Sequence, residues 1–570
     1  MTITALTQRS DYPYDLGTFG RPITTTSPEA QIWFNRGLCW VYSFNHDEAA
    51  ICFEQAIAHD EYCAIAYWGL AYALGPNYNK SWAFFRDDLK TILQRTYQAC
   101  QKAKALASDA TPVEQALITA IQARFQSDQP SNLDQYAAQN RAYADAMEGA
   151  YHVLGEDLDI AVLYADSIMS LNPWKLWNLE TGLPNPGTRT LDAKNVLEKA
   201  LKHTDAYRHP GLLHLYIHLI EMSPTPELGL VPADYLRELV PDAGHVNHMP
   251  AHLDVLVGDY RAAIRTNQRA TLSDEKFIRY EGVMNFYSNY RMHNYHTLIY
   301  AAMFAGQKHV AIDAVDRMEK TLPKELLVKM ADSIEVFMSI RPHVMIRFGM
   351  WDEIISLSLP EDPVLYCVTI ANIYYAKGIA YAATGKIAEA EKYRDLYTEA
   401  GKRVPESRLD FPNKCVDTLE IAAAMLDGEI EYRHGNYTEA FKHLRRSIEL
   451  DDGLGYKEPW SWMQPSRHAY AALLLEQGHV EEAAAAYRCD LGLDDSIIRA
   501  RQHPNNVWAL QGYHECLLRL GRTAEARVIE PQLKIALAVA DIPIKSSCFC
   551  RTDTSQESDV GKVCSGSGCQ

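Results

Sequence analysis

Apolar residues recur along most of the chain at intervals of three and four positions, which is the spacing of amphipathic helices. The two-residue alternation typical of strands, flanked by hairpin turns, is almost absent. The pattern therefore predicts an all-α protein.

Short turn signals such as "VGDYRAA", "TGKIAEA" and "LGRTAEA" follow the amphipathic segments repeatedly. From position 258 onward the turn glycines at 258, 306, 349, 385, 435, 478 and 521 lie 36 to 50 residues apart. This period is typical of helical hairpins with insertions.

Two stretches have nearly the spacing of tetratricopeptide repeats, "WFNRGLCWVYSFNHDEAAICFEQAIAHD" (33–60) and "NVWALQGYHECLLRLGRTAEA" (506–526). In each, a small residue, Gly37 or Gly512, stands where two helices would approach closely. One hairpin alone cannot bury its apolar face, so stacked hairpins should form a superhelix, or solenoid, with a concave surface and inserted loops.

The pattern divides the chain into an N-terminal extension (1–28), N-terminal repeats (29–126), a central helical region (127–305), C-terminal repeats (306–540) and a tail (541–570). The tail holds Cys548, Cys550, Cys564 and Cys569 among Ser, Gly, Asp and Thr, and its few apolar residues predict disorder. Eight further cysteines stand singly in helical patterns and should be small buried hydrophobes rather than a disulfide framework.

Two segments are too irregular for plain repeats. The region 127–210 contains a loop at 171–190, and a second loop lies at 451–470; both are rich in Trp and Pro. Long ordered loops are often functional, so we expect them to close over a site. The candidate substrate contacts are Asn77, Asn79, Trp174, Trp177, Trp460 and Trp462.

The net charge of −18, with 73 acidic and 55 basic residues, argues against nucleic acid or an anionic membrane surface as partner, because both attract positive potential. No apolar run is long enough to span a membrane, and the N-terminus lacks a secretory signal. The expected location is the cytoplasm.

Histidines are concentrated between positions 203 and 296, where nine of the chain's twenty lie. "HLYIHLIE" places His214, His218 and Glu221 on one face of a helix that starts at Pro210. In "HVNHMPAH" we expect His245 and His248 on a loop and His252 in the first turn of a helix that ends at Gly258.

"HNYH" adds two more histidines at the start of a third helix, so three elements could direct imidazoles into one cavity. Imidazole nitrogen and carboxylate oxygen are ligands for copper, iron and zinc. The candidate metal ligands are His214, His218, His248, His252, His293 and His296, and the candidate catalytic residues are Glu221 and His245. A metal-free acid/base pocket and purely structural histidines remain alternatives.

The motifs "HPGLLHLYIHLIEMSP", "PDAGHVNHMPAHL" and "PWSWMQPSR", in this order, resemble a microbial family of tetratricopeptide-repeat-like proteins found in bacteria and fungi. Members of that family typically carry His at the positions of His46, His218, His245, His248, His252 and His296, Glu at that of Glu221, and Asn at those of Asn77 and Asn294. Leu70 stands where that family often has Glu, so a ligand or the reaction can differ here.

The cysteine-free, histidine-rich set favours copper or non-haem iron, with zinc as a further option. We therefore expect a metal-dependent oxidoreductase that acts on a small molecule in specialised metabolism. In that case the ligands would be His218, His248, His252 and His296, with Glu221 as a ligand or as a base that orients one imidazole. The alternatives are a zinc or iron hydrolase and a repeat scaffold that binds a peptide or protein on its concave surface.

Overall fold

The computed structural model describes residues 12–85 and 88–552, and the described part of the chain is built almost entirely of α-helices. It divides into two compact units. The first comprises the described residues up to Leu298 together with Ile498–Ala500, and the second comprises Ile299–Ile497 and the described residues from Arg501.

The helices of the first unit are α1 (Pro28–Tyr42), α2 (His46–His59), α3 (Ala64–Leu74), α4 (Leu89–Leu106), α5 (Pro112–Ile121), α6 (Leu133–Leu154), α7 (Leu158–Met169), α8 (Thr190–Ala200), α9 (Pro210–Ile220), α10 (Leu230–Leu236), α11 (Gly244–His248), α12 (Pro250–Val257) and α13 (Tyr260–Glu281). Helix α14 (Ser288–Phe304) begins in the first unit and ends in the second.

The second unit continues with α15 (Lys308–Lys320), α16 (Lys324–Lys329), α17 (Ala331–Ile334), α18 (Ile340–Arg347), α19 (Trp351–Ser356), α20 (Cys367–Ala383), α21 (Ile387–Gly401), α22 (Cys415–Arg433), α23 (Tyr437–Asp452), α24 (Ser466–Glu476), α25 (Val480–Asp490), α26 (Val507–Arg519) and α27 (Thr523–Val539). Two short antiparallel strands, β1 (Leu409–Asp410) and β2 (Asn413–Lys414), pair with Leu409 opposite Lys414. Short 3₁₀ segments lie at Trp82–Phe84, Ala107–Asp109, Ala206–Arg208, Pro226–Gly229, Glu335–Ser339 and Arg499–Arg501.

The prediction of an all-α protein built of helical hairpins is confirmed. All seven turn glycines identified from the sequence, from Gly258 to Gly521, have left-handed φ between 61° and 83°. At Gly258 this conformation ends α12 and lets α13 pack beside it. A residue with a Cβ would adopt the same left-handed conformation only at a cost in free energy.

The small residues of the repeats lie where helices pack closely. A Cβ added at Gly37 of α1 would be 2.8 Å from the Phe53 ring of α2, and one at Gly69 of α3 would be 2.4 Å from the same ring. In the second unit a Cβ at Gly512 would be 2.2 Å from Tyr487. Glycine is therefore required at these positions by the close approach of neighbouring helices.

The irregular region predicted for 127–210 is mostly helical, because α6, α7 and α8 fall within it. The loop itself is confined to the stretch between α7 and α8. It is held by Trp177, whose indole Nε1 donates to the carbonyl of Leu219, in the last turn of α9, at 2.7 Å. The loop is therefore fixed against the helix that carries the first histidines.

The prediction of a disordered tail from residue 541 is wrong for residues 541–552. Asp541 accepts from the backbone N–H groups of Lys308 and His309 at 2.7 and 2.9 Å, at the start of α15. Arg551 donates to Glu515 at 2.8 Å. Polar side chains thus order this segment by bonding helix ends and charges, which a count of apolar residues does not detect.

The singly placed cysteines are buried as the pattern predicted, apart from Cys489. Seven of the eight singly placed cysteines are buried and Cys489 is half-buried. Cys548 and Cys550 form a disulfide that was not predicted from the sequence. Cys564 and Cys569 lie outside the described residues. None of the described helices combines the length and the apolar character that a membrane crossing requires.

Candidate metal centre

Helix α9 carries the first part of the site. Pro210 occupies its first position, and the His209 ring caps it by accepting from the backbone N–H of Leu212 at 3.1 Å. His214 and His218 lie on one face and are fully buried, and Glu221 follows the last helical residue. This arrangement agrees with the face predicted from the i, i+4, i+7 spacing.

The second part differs from the prediction. His245 and His248 were expected on a loop, but they belong to the short helix α11, and only His252 lies in α12. Tertiary partners stabilise this turn: Tyr287 accepts from the backbone N–H of His245 at 3.0 Å, and Asn247 donates to the Pro241 carbonyl at 2.7 Å. The Tyr287 contact comes from a residue distant in the sequence, so it is not visible in the local pattern.

Helix α14 supplies the third part. His293, in its second turn, is half-buried, and His296, in its third turn, is buried. His293 lies beside His248 and His252, whereas His296 is not a member of any of the groups of converging ligand atoms found among the described residues. The structure thus brings together five of the six predicted ligands and leaves out His296.

Three Nε2 atoms converge at one point. The Nε2 atom of His248 is 2.7 Å from that of His252 and 2.8 Å from that of His293, and the last two are 3.2 Å apart. Three nitrogen ligands about 2.0–2.1 Å from a tetrahedral ion would be about 3.3 Å from one another. The observed separations approach that value.

The outer ring nitrogens show which atoms carry protons. Nδ1 of His248 faces the Asn267 oxygen at 2.6 Å, and the Asn267 amide is oriented by donating to the Ala263 carbonyl at 2.8 Å. Nδ1 of His252 contacts a carboxylate oxygen of Glu221. Since both Nδ1 atoms donate to acceptors, the Nε2 atoms of the neutral rings are lone pairs that face each other. Such an arrangement is favourable when a cation, either a shared proton or a metal ion, lies between the nitrogens.

A second group consists of His214, His218 and His245, whose ligand atoms lie within 4.8 Å of one another. Nδ1 of His214 donates to the Tyr42 carbonyl at 2.6 Å, and Nδ1 of His218 donates to Glu221 at 2.9 Å. Among the described residues, Nε2 of His214, Nε2 of His218 and both ring nitrogens of His245 have no hydrogen-bond partner. Buried nitrogens of this kind are costly unless a ligand binds them, at roughly 1–3 kcal/mol each.

Glu221 lies between the two groups. One of its oxygens contacts Nδ1 of His218 and the other contacts Nδ1 of His252. A carboxylate that accepts from the outer nitrogen of a ligating histidine fixes the tautomer and the orientation of the ring. Glu221 is thus placed to orient two imidazoles, which is one of the two roles considered from the sequence.

Burial keeps these imidazoles neutral. It lowers the pKa of His218 to about 3 and that of His248 to about 4. Burial, followed by the neighbouring histidines, also holds the pKa values of His214, His245 and His252 well below the usual range. Neutral imidazoles keep the lone pair that binds a metal ion.

Aromatic side chains that were not predicted from the sequence surround the second group. Phe44, with a positive φ of 56° in the turn between α1 and α2, lies 4.4 Å from the His214 ring and stacks on His218 at 5.7 Å. The Tyr290 ring lies 4.5 Å from that of His245. An aromatic next to "NHDE" in a turn gives no local signal for this role, because it is the backbone conformation that turns Phe44 inward.

His46, two residues further on, is buried as well, and its ring lies 5.9 Å from the Tyr72 ring. Burial, together with Lys80 and Arg124, lowers the pKa of His46 to about 3. It does not belong to either histidine group.

Four of the six predicted substrate contacts belong to the same unit as the histidines. The Trp174 backbone N–H donates to the Tyr78 hydroxyl at 3.1 Å, and the Tyr78 ring lies 5.1 Å from that of His218. Asn77 and Asn79 lie beside the Tyr290 hydroxyl. Trp177 instead anchors the loop to α9.

The other two predicted substrate contacts are Trp460 and Trp462. Both belong to the second unit, where Trp460 donates to Asp451 at 2.9 Å and Trp462 packs edge-on against His343 at 4.9 Å. Their role at the site stays a prediction.

The geometry defines an all-α protein with buried histidine groups that can hold metal ions. No protein-family model matches the chain, and no curated protein matches it. Among solved structures, the chain is similar to one described as "Structure of Naa15/Naa10 bound to HypK-THB", at 13% identity, over 90% of this chain and 70% of that one, with a TM-score of 0.22. At these values the likeness supports no inference about function.

Proposed function

We propose that the protein is a metal-dependent enzyme in which a buried polyhistidine centre binds copper or non-haem iron and oxidises a small molecule, with dioxygen as the oxidant. The observation that carries the proposal is the convergence of Nε2 of His248, His252 and His293 within 3.2 Å, with outer nitrogens that donate to Asn267 and Glu221. A purely structural histidine needs one partner and does not direct its lone pair at two others.

The ligand set favours copper or iron. It consists of neutral imidazoles without cysteine, and imidazole suits copper, iron and zinc. A bound redox metal would supply electron exchange with dioxygen, while the residues of the chain hold and orient it. Zinc, which has no redox chemistry, would instead support hydrolysis, the second reaction considered from the sequence.

Individual residues have distinct proposed roles. His214, His218 and His245 bind metal beside His248, His252 and His293. We therefore assign His245 as a ligand rather than as a catalytic acid or base. Glu221 orients His218 and His252. Trp174 with Tyr78, and Asn77 with Asn79, form the polar and aromatic boundary from which a small substrate would approach.

The remaining features of the proposal come from the sequence. The resemblance to the microbial repeat-like family, a cytoplasmic location and a place in specialised metabolism belong to it as hypotheses. A repeat scaffold for a peptide or protein partner is the rival function, and the helical hairpins favour it. Such a scaffold does not require imidazoles whose buried nitrogens lack partners among the described residues.

The test is dioxygen uptake by the reconstituted protein. Demetallated protein is loaded anaerobically with Cu(I) or Fe(II), mixed with air-saturated buffer and ascorbate as electron donor, and followed with an oxygen electrode. We expect uptake above that of the free ion at equal concentration, lost in His218→Ala and His248→Ala and kept in His152→Ala, which changes an exposed histidine of α6. Uptake no faster than the free ion for either metal would contradict the oxidative function.

A further inference from the structure

The six histidines fall into two triads that share no member. The first triad is His214, His218 and His245, and the second is His248, His252 and His293. Three imidazoles complete the protein ligands of one catalytic metal ion, with a further position left for a small ligand. We propose that the centre is dinuclear, with one transition-metal ion in each triad, an inference that rests on the proposed metal-dependent function.

The first triad does more than support the ligands of the second triad. If only the second triad bound an ion, four ring nitrogens of His214, His218 and His245 would stay buried without a hydrogen-bond partner in the described part of the chain. Their outer contacts follow the pattern of metal ligands, because Nδ1 of His214 and Nδ1 of His218 donate to fixed oxygens and leave Nε2 as a lone pair. The triad thus has the donors of an ion of its own.

The two triads are direct neighbours. The His245 and His248 rings, from different triads, lie 6.0 Å apart between centroids and stack at 25°. The His218 and His252 rings lie 5.8 Å apart. The short helix α11 causes this, since its i, i+3 spacing gives one histidine to each triad.

Glu221 links the triads chemically. Its two oxygens contact the outer nitrogens of His218 and His252, one ligand from each triad. A carboxylate that served a single ion would need only one of these contacts. The same group therefore orients a ligand of each ion and balances part of the added positive charge.

The ligand class follows from this geometry. Each triad offers neutral nitrogen donors, which suits copper best among redox metals. Two adjacent ions with open positions bind a small molecule or anion that bridges them, such as dioxygen or azide. Two metals also supply two electrons together, which one copper ion does not.

The test counts ions and measures their coupling. Demetallated protein is loaded with Cu(II), passed through a desalting column and analysed for metal by mass spectrometry and for unpaired spins by electron paramagnetic resonance. We expect two ions per chain, with a signal well below two spins because neighbouring Cu(II) ions couple. His214→Gln and His293→Gln should each retain one ion with a full one-spin signal, and His152→Ala should behave as the unchanged protein.

The outcomes separate the two proposals. One ion per chain in the unchanged protein would overturn the dinuclear centre and leave the metal-dependent function standing. Two ions with two full spins would also overturn it, because the ions would then be apart. No retained ion would remove both. The unchanged protein alone decides between these results, so a variant that fails to fold, checked by circular dichroism, does not affect the conclusion.

Discussion

His248 and His252 hold their Nε2 atoms 2.7 Å apart while their Nδ1 atoms donate away from each other, one to Asn267 and one to Glu221. Two lone pairs at this distance repel each other in the absence of a cation. Four residues of sequence separation place both rings on the same side of α11 and α12, so the backbone itself enforces the approach. The metal ion that we propose at this point would make the arrangement favourable.

Glu221→Gln should weaken metal binding without abolishing it. The amide keeps one oxygen as an acceptor but presents an NH₂ group to the second imidazole N–H, so His218 and His252 cannot both be oriented. Loss of such an outer partner lowers metal affinity roughly 10- to 100-fold. Competition titration with a chelator of known affinity measures this.

The matched control is Glu227→Gln, which changes an exposed glutamate six residues further along the chain. It should bind metal as the unchanged protein does. Equal affinities for Glu221→Gln and the unchanged protein would show that this carboxylate does not support the ligands.

Asn267→Ala should reduce affinity in the same assay by about tenfold, because the Nδ1–H group of His248 loses its acceptor and the ring is no longer held. Asn267→Asp restores an acceptor at this position and should bind metal more tightly than Asn267→Ala. If Asn267→Asp were no better than Asn267→Ala, the contact would serve packing rather than orientation.

Trp174→Ala should leave the metal content unchanged and open the approach to the site. Trp174 stacks on Tyr78 at 6.1 Å, and Tyr78 lies against His218, so removal of the indole uncovers that side. We expect EDTA to remove the metal several-fold faster, as followed by stopped-flow absorbance. Leu183→Ala, at an exposed position of the same loop, should not change the rate; an equal increase in both variants would indicate general loosening of the loop.

Asp274 should make the stability of the metal-free protein depend on pH. Burial raises its pKa to about 7 despite bonds from Asn294 and Tyr287. A carboxyl with a folded pKa above the unfolded value of about 3.9 holds its proton more tightly in the folded state. Its contribution is therefore favourable below pH 4 and is lost as pH rises towards 7 and above.

Asp274→Asn removes this dependence. Between pH 5 and 8 the free energy of unfolding of the unchanged protein should fall by roughly 1–3 kcal/mol more than that of Asp274→Asn. Urea unfolding of chelator-treated samples at both pH values measures the difference. Parallel pH profiles for the two proteins would mean that Asp274 is not protonated in the folded state near neutral pH.

The hairpins could be predicted from the sequence because their signals are local. The glycine that ends α12 and the small residue at Gly37 follow from turn chemistry and close packing, and both appear where expected. The pair of histidines four residues apart on α9 could be predicted equally well. Helix periodicity is sufficient to place His214 and His218 on one face.

The remainder of the site depends on contacts between distant residues. Asn267 and Phe44 gain their roles only through the fold, and α11 forms because Tyr287 bonds its first turn. Closure of the loop that carries Trp460 and Trp462 over the site stays a prediction, because local composition marks an ordered loop but not its packing partners. His296 shares a face pattern with His293, yet only His293 joins a triad.

Metal analysis of the protein, purified without a histidine tag, tests the central claim most directly. Plasma mass spectrometry should find copper, iron or zinc at near-stoichiometric or higher amounts, falling in both His218→Ala and His248→Ala and unchanged in His152→Ala. No bound metal in the unchanged protein, even after reconstitution with each of these ions, would contradict the claim that the histidines form a metal centre.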